Sequence, residues 1–207
     1  MTATQTTQTK PHWRVVADAM GLTTTPAAKK VARPPRQQAP PRYDRVRSVV
    51  QMVGQDRART MMMVDVNGSR ERGEDPNHVL LFGPPGLGKT TLAELVSTQT
   101  SGKLLRAIGG SIKSTEDLIR LLGNLSHKKI DVLFIDEIHR LPTVVEELLY
   151  TALEDKRIEV PVGIGAAREV QTMYLPRFVL VGATTLAGQL SDPFRDRFGL
   201  QLSLTYY

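Results

Sequence analysis

Residues 83–91 read Gly83-Pro84-Pro85-Gly86-Leu87-Gly88-Lys89-Thr90-Thr91, and this stretch decides the fold class. It matches the pattern G-x-x-x-x-G-K-[ST] in full. Residues 78–82 before it, four of which are apolar, predict a buried strand, and residues 91–96 after it predict a helix. A strand, a glycine-rich loop and a helix in this order indicate a phosphate-binding loop. A surface turn rich in glycine and proline is the alternative, and the flanking elements disfavour it.

The residue types in this loop suit a nucleotide. Glycines let several backbone N–H groups point at one anion, and the N-terminus of the following helix adds partial positive charge. We expect Lys89 to reach the β- and γ-phosphates of ATP and the Thr90 hydroxyl to bind Mg²⁺.

A second informative stretch, residues 131–137, reads Asp-Val-Leu-Phe-Ile-Asp-Glu. Its uninterrupted apolar run is typical of a parallel strand buried on both faces. Because ligands lie beyond the carboxyl ends of such strands, the two final acids should face the phosphates. Asp136 is predicted to hold the Mg²⁺ shell, and Glu137 to orient and activate the attacking water. Alternatively, the two acids only end a strand at the surface.

A third apolar strand, predicted over residues 178–183, ends in Thr184-Thr185 and should lie between the other two strands. The Thr184 hydroxyl is predicted to contact the γ-phosphate or hold the water. The alternative is that Thr184 or Thr185 only caps the strand end.

Two arginines and a histidine complete the candidate set. Arg197, supported by Arg195, is predicted to reach the γ-phosphate of a neighbouring subunit, where such a residue stabilises developing charge. Surface ion pairs with Asp192 and Asp196 are the alternative. His139 is interpreted as a polar contact near the site rather than a catalytic group.

The remaining pattern alternates strands with helices and predicts an α/β fold: a central, mostly parallel five-stranded sheet flanked by helices, with a β-hairpin insertion. The expected elements are a helix ending before Gly68, a charged loop over 69–77, a strand over 104–108, a helix beginning near Ser114, a helix after Leu141-Pro142, a hairpin over 158–175, a short helix over 192–199 ended by glycine, and a last strand over 200–207.

The composition excludes several classes of protein. A hydrophobic fraction of 41% in 207 residues provides a core for one domain. Without cysteine the chain has no disulfide, thiol nucleophile or thiolate metal site. No apolar run approaches the ~20 residues of a membrane span, and no signal peptide is visible, so we expect a cytoplasmic protein without membrane contact.

The positive charge is concentrated at the start of the chain. Residues 1–60 hold 11 Lys and Arg against 3 Asp and Glu, whereas the rest holds 16 against 18. Residues 1–44 are rich in Thr, Gln and Pro and predict a disordered basic tail. That tail is either a contact for nucleic acid or simply solvated. Residues 45–207 form the predicted ATPase domain.

Several motifs together resemble one family. The stretches are His78-Val-Leu-Leu-Phe followed by the phosphate loop, Asp131-Val-Leu-Phe-Ile-Asp-Glu-Ile-His-Arg-Leu, Val145-Glu-Glu-Leu-Leu-Tyr, Gly182-Ala-Thr-Thr and Arg195-Asp-Arg-Phe-Gly. In this order and spacing they resemble the RuvB family, the Holliday-junction branch-migration ATPases of the AAA+ class.

The resemblance implies a hexameric ring that hydrolyses ATP and drives branch migration of four-way DNA junctions beside the junction-binding protein RuvA. It implies that the hairpin 158–175 docks on RuvA, that Thr184 is the sensor threonine, and that Arg197 acts in trans. It also implies that Gly54 and Gln55 line the adenine pocket.

The chain departs from the family pattern at Arg47, Met52, Ala166 and Leu186. It also stops where the resemblance places a helical lid and a DNA-binding winged helix. Two hypotheses follow: an ATP-hydrolysing motor subunit of the RuvB type, or a non-motor ATP-binding module that joins or regulates a ring.

Overall fold

The computed structural model describes residues 54–162 and 169–206. The predictions for the basic tail, for residues 45–53 and for the tip of the hairpin lie outside these residues. The helices are α1 (Asp56–Arg72), α2 (Lys89–Thr100), α3 (Thr115–Leu122), α4 (Thr143–Asp155) and α5 (Asp192–Asp196). The strands are β1 (Val79–Phe82), β2 (Leu104–Ile108), β3 (Asp131–Asp136), β4 (Arg157–Val162), β5 (Glu169–Tyr174), β6 (Phe178–Thr184) and β7 (Leu200–Ser203).

Five strands form one parallel sheet in the order β2-β3-β6-β1-β7. The predicted α/β fold is confirmed, and β6 lies between β3 and β1 as expected. Phe82 pairs with Thr184, and Ile135 pairs with Gly182. The carboxyl ends of these three strands therefore meet at one edge of the sheet, where a ligand of an open α/β sheet binds.

The apolar run of β3 is continuous because helices cover both faces of the sheet. Leu133 and Ile135 pack into a cluster with α3 and α4, whereas Val132 and Phe134 pack into a cluster with α1 and α2. Each of the four side chains is at most 3% exposed. Burying one such side chain contributes about 1.5–3 kcal/mol, so β3 is firmly held in the centre of the domain.

The buried Asp131 and the partly buried His78 bond backbone amides at the start of the sheet. The Asp131 carboxylate accepts hydrogen bonds from the backbone amides of Lys103, at 2.7 Å, and Ser126, at 2.8 Å. The His78 Nδ1 atom accepts one from the Leu180 amide at 3.0 Å. Burial lowers the pKa of His78 to about 4. Both side chains thus satisfy partly buried backbone donors, and leaving such donors without a partner would destabilise the fold.

The predicted hairpin is confirmed in its strands, since β4 and β5 form a separate antiparallel pair. Ile158, Val160 and Met173 are buried and pack into the cluster that contains α4. Val170 and Tyr174 on β5 are 67% and 65% exposed. One face of the hairpin therefore packs against the cluster that contains α4, and apolar side chains of β5 remain exposed to solvent.

The predicted end of the first helix was wrong. Helix α1 continues through Gly68 to Arg72, and Gly73 ends it in a left-handed conformation, with its N–H bonded to the Arg70 carbonyl at 3.2 Å. A glycine inside a helix costs about 1 kcal/mol. Val66 and Ser69, on either side of Gly68, are both buried along this helix. Because the helix ends at Arg72, the predicted charged loop begins only at Gly73.

Two predictions near the end of the chain need correction. Helix α5 ends at Asp196, and Arg197 keeps a right-handed helical conformation, so Gly199 does not terminate it. The last strand, β7, spans only Leu200–Ser203. Within the described ranges, no helix combines the length and apolar character that crossing a membrane requires.

Candidate active site

The glycine-rich loop connects β1 to α2 at the carboxyl edge of the sheet. Gly83 has a φ of 149°, and a Cβ placed on it would lie 2.3 Å from the Leu204 carbonyl oxygen. Only glycine fits there, between the loop and the segment that follows β7. Gly88 precedes α2 in a left-handed conformation, with a φ of 85°. The loop therefore turns sharply and meets α2 at its N-terminus, where backbone N–H groups are free to bind an anion.

A cleft of about 340 Å³ opens beside this loop. It is lined by Pro85, Gly86, Gly88, Lys89, Thr90, Thr91, Asp136, Glu137 and Thr185. Eight of these nine residues belong to the predicted site, and Thr185 is the addition. Of the other loop residues, Leu87 packs into the core cluster of α1 and α2, whereas Gly83 and Pro84 contribute their carbonyl groups. The structure thus brings the phosphate loop and the two acids of β3 together.

Among the residues that the structure describes, Lys89 is the only lysine that lines this cleft, and its ammonium group lies against the loop itself. Its Nζ donates hydrogen bonds to the carbonyl oxygens of Gly83, at 2.7 Å, and Pro84, at 2.8 Å. Burial lowers the pKa of Lys89, and the negative charges of Asp136 and Glu137 oppose that lowering. The side chain is thus a cation held next to the space where the loop amides would receive a phosphate.

The two acids follow one another at the end of β3. The Asp136 Oδ1 atom accepts a hydrogen bond from the Glu137 amide at 3.0 Å. Glu137 has a φ of 52°, a left-handed conformation that costs a non-glycine residue about 1–3 kcal/mol. Its carbonyl approaches Gly109 so closely that a Cβ there would lie 2.3 Å from the oxygen. The backbone is therefore held in an uncommon conformation where the Glu137 carboxylate enters the cleft.

Thr184 is fully buried and is not among the residues that line the cleft. Its hydroxyl oxygen accepts a hydrogen bond from the Leu186 amide at 2.9 Å and lies 2.8 Å from His139 Nδ1. Thr185, which is exposed, lines the cleft in its place. Thr184 bonds a backbone amide just after the strand, as a strand-end cap would. It also bonds His139, whose ring contacts Glu137.

Arg197 lies outside the cleft, beyond the end of α5. Its guanidinium group donates a hydrogen bond to the Tyr150 hydroxyl at 2.6 Å, lies 4.6 Å from the centre of the Tyr150 ring, and pairs with Glu154 at 3.2 Å. Its Nε atom is buried without a hydrogen-bond partner among the described residues. Arg195 pairs with Asp192 at 2.7 Å. Arg197 is therefore positioned by α4 and does not reach the phosphate loop of its own chain.

Gly54 and Gln55 also lie outside the lining of the cleft. They directly precede α1, and both have left-handed backbones. The Gln55 side-chain amide donates a hydrogen bond to the Thr205 carbonyl at 2.8 Å. This contact ties the start of α1 to the segment after β7, close to the end of the described residues.

The donor set of the cleft fits a nucleotide with Mg²⁺ better than a metal held by protein alone. The described residues contain no group of three or more His, Asp or Glu side chains able to hold a metal ion. Thr90 and Asp136 offer a hydroxyl and a carboxylate in the same cleft. Mg²⁺ is commonly bound by one or two protein oxygens with phosphate oxygens and water, so these two residues could hold it beside a phosphate.

Sequence reasoning missed the partners that position the functional side chains. Tyr150 and Glu154 lie on α4, more than 40 residues before Arg197 in the chain. Nothing in the local pattern indicates that both contact Arg197.

Comparison with known proteins agrees with this geometry. The family model for the Holliday junction DNA helicase RuvB P-loop domain matches residues 45–204. A lysine-to-arginine variant of Thermotoga maritima RuvB is 39% identical, with a TM-score of 0.66 over 77% of this chain and 48% of that chain. A proline-to-glycine variant of the same protein is 40% identical, with a TM-score of 0.67 over 77% of this chain and 48% of that chain.

The Thermotoga maritima RuvB Holliday junction branch migration motor is similar at 39% identity, with a TM-score of 0.63 over 76% of this chain and 47% of that chain. The chain thus spans about half the length of the solved structures it matches. Because the family model covers most of its 207 residues, this chain belongs to the RuvB family of P-loop domains.

Proposed function

We propose that this chain binds ATP with Mg²⁺ in the cleft beside the phosphate loop and hydrolyses it. The observation that carries the proposal is the convergence of Lys89, Thr90, Asp136 and Glu137 on one cleft. A cation, a hydroxyl and two carboxylates at a helix N-terminus are the groups that phosphoryl transfer needs, since it depends mainly on positioning and charge neutralisation.

Each residue has a distinct part in this proposal. Loop amides and Lys89 hold the β- and γ-phosphates, so Lys89 exchanges the carbonyl groups of Gly83 and Pro84 for phosphate oxygens. Thr90 and Asp136 hold Mg²⁺, which when bound neutralises charge on the phosphates. Glu137 accepts the proton of the attacking water as general base.

Arg197 is proposed to act on the nucleotide of a neighbouring subunit. The support is that Arg197 lies outside the cleft of its own chain, with Tyr150 and Glu154 holding the guanidinium group half-exposed. This role requires an oligomer, and a hexameric ring is the assembly that we propose. Gly54 and Gln55 are proposed to contact adenine.

We further propose that the ATPase serves branch migration of Holliday junctions together with a RuvA-like partner. The support is the family membership and the similarity to the Thermotoga maritima branch migration motor. The exposed Val170 and Tyr174 make the β4–β5 hairpin the surface that we propose for the partner.

The test compares ATP hydrolysis by the chain alone, with a four-way DNA junction, and with linear duplex of equal length. Phosphate release that depends on Mg²⁺ and is stimulated by the junction more than by the duplex supports the proposal. Adding a RuvA-like protein and a labelled junction then measures strand movement. Turnover without strand movement would assign the chain to the non-motor class, and absence of turnover would contradict ATP hydrolysis itself.

A further inference from the structure

His139 connects Glu137, the proposed general base, to the buried side chain of Thr184. It lies in a 3-10 turn, Ile138–Arg140, directly after β3. Its Nδ1 atom is 2.8 Å from Thr184 Oγ1, and its Nε2 atom is 3.3 Å from Glu137 Oε2. The histidine side chain is only 7% exposed, whereas that of Glu137 is 35% exposed. A nearly buried ring thus bridges a buried hydroxyl and a carboxylate that lines the cleft.

The positions of the hydrogens in this bridge follow from what each partner can donate. An ionised carboxylate only accepts, so the ring nitrogen that faces Glu137 must carry a hydrogen. In a neutral imidazole Nδ1 is then bare and accepts a hydrogen bond. The Thr184 hydroxyl has one hydrogen to donate to this nitrogen, while its oxygen accepts from the Leu186 amide at 2.9 Å. We assign the Nε2–H tautomer on this basis.

These assignments give two hydrogen bonds and one longer polar contact that all point the same way. The Leu186 amide donates to Thr184, Thr184 donates to His139, and His139 donates towards Glu137. Donors aligned in this way strengthen one another in a buried environment. The final contact, at 3.3 Å, is long for a hydrogen bond, and catalytic contacts of this kind tighten when the substrate is bound.

From this geometry we propose that His139 is a positioning residue for Glu137, and that Thr184 holds the His139 ring in place. Its Nε2–H holds one carboxylate oxygen, which leaves the other for the attacking water. The inference rests on the proposed function, because it assigns Glu137 the role of general base. It also gives Thr184 a part that a fully buried hydroxyl outside the cleft lining can perform without touching phosphate.

Two substitutions of His139 distinguish the contact made by Nε2 from the contact made by Nδ1. In His139→Gln the side-chain amide can place its N–H near the position of Nε2, whereas in His139→Asn it reaches only the position of Nδ1. We expect His139→Asn to lower kcat about 10²-fold, the scale of a misplaced catalytic group, with the Kd for Mg-ATP unchanged. His139→Gln should recover a large part of that loss. His127→Asn, at an exposed histidine, is the matched control.

Thr184→Val tests the same bridge from its other end. If Thr184 acts through His139, Thr184→Val lowers kcat in the wild-type chain and adds little in the His139→Asn chain, since residues of one network are not additive. An unchanged kcat in His139→Asn would overturn the inference. So would a double variant in which kcat falls by the product of the two single-variant losses. If the wild-type chain does not hydrolyse ATP at all, the proposed function is overturned, and the role of His139 with it.

A spectroscopic readout is independent of turnover. In ¹⁵N-labelled protein at neutral pH, the His139 ring, identified by its absence from His139→Gln, should show a protonated Nε2 and a bare Nδ1. Thr184→Val should remove this preference for one tautomer while the His127 signals stay unchanged. A protonated Nδ1 with a bare Nε2 in the wild-type chain would overturn the assignment and the inference.

Discussion

Replacing Gly109 with alanine is expected to slow ATP hydrolysis without weakening nucleotide binding, because it displaces the backbone of Glu137. Gly109 begins the 3-10 turn after β2, and β2 pairs with β3 up to Asp136. A Cβ at Gly109 would lie 2.3 Å from the Glu137 carbonyl oxygen and 3.3 Å from the Ile138 Cα atom. Both are backbone atoms, so no flexible side chain can move aside to relieve the contact.

The size of the effect follows from that distance. Non-bonded heavy atoms prefer a separation of about 3.5 Å, so the two backbones must separate by roughly 1 Å. A displacement of 1 Å at a catalytic group costs about 10²-fold in rate. Overpacking also destabilises a folded protein, typically by about 1–3 kcal/mol. We therefore expect Gly109→Ala to fold at reduced stability, to bind Mg-ATP, and to turn it over about 10²-fold more slowly.

Gly110→Ala is the matched control, since its Cβ would lie 3.3 Å from the Arg140 guanidinium carbon, at the end of a flexible side chain. Calorimetry gives the nucleotide Kd of both variants, phosphate release gives kcat, and thermal unfolding shows that each is folded. If Gly109→Ala and Gly110→Ala hydrolyse ATP at the same rate as the wild type, the close approach at Glu137 does not position the base, and the reasoning is refuted.

Three further predictions concern the loop and the fold. Lys89→Ala should raise the Kd for Mg-ATP by roughly 10- to 100-fold, since it removes a charge-assisted contact of about 1.5–3 kcal/mol; calorimetry giving an unchanged Kd would contradict this. Asp131→Asn leaves one of two partly buried amides without an acceptor and should lower the free energy of unfolding by about 1–3 kcal/mol, measured with urea. The pKa of His78 in the folded chain is lowered to about 4. The unfolded chain therefore binds more protons between pH 6.5 and about pH 4, and stability falls as the pH is lowered through this window. Between pH 7 and pH 5 this loss should be about 2 kcal/mol, and His78→Asn, which keeps an acceptor for the Leu180 amide, should lack it; equal losses in both proteins would show that His78 is not the cause.

The central strands of the sheet could be predicted because burial on both faces leaves a simple pattern in the sequence. Residues 132–135 and 178–183 have no polar interruption, since helices cover both faces of the sheet. The position of β6 between β1 and β3 also follows from the motifs, because it places the end of β6 beside the two other ends. Strand identity and the edge that holds the site were therefore readable from the sequence.

Element ends were less predictable, because contacts distant in sequence decide them. Gly68 resembles a helix terminator, but it lies within α1, which continues to a cap at Gly73. Gly199 follows α5 in the sequence without capping it, and a Cβ there would lie 2.3 Å from Asn77 Oδ1. The glycine pattern alone does not distinguish a cap from a close approach between distant segments.

The site residues also fall into a group that could be predicted from the sequence and a group that could not. The residues of one loop and of one strand end could be named together, because a motif places them side by side. The pairs His139 with Thr184 and Arg197 with Tyr150 join residues 45 and 47 positions apart. Such pairs depend on how β6 and α5 pack beside β3 and α4, and no local spacing encodes them.

The account rests on a cleft that takes up Mg-ATP and on Glu137 as the base that activates water. The most direct test measures phosphate release by wild-type and Glu137→Gln chains at nucleotide concentrations that calorimetry shows to be saturating for both. We predict equal occupancy and a rate at least about 10²-fold lower in the variant, the scale of general-base catalysis. Equal rates at equal occupancy, or no uptake of Mg-ATP by either chain, would contradict the account.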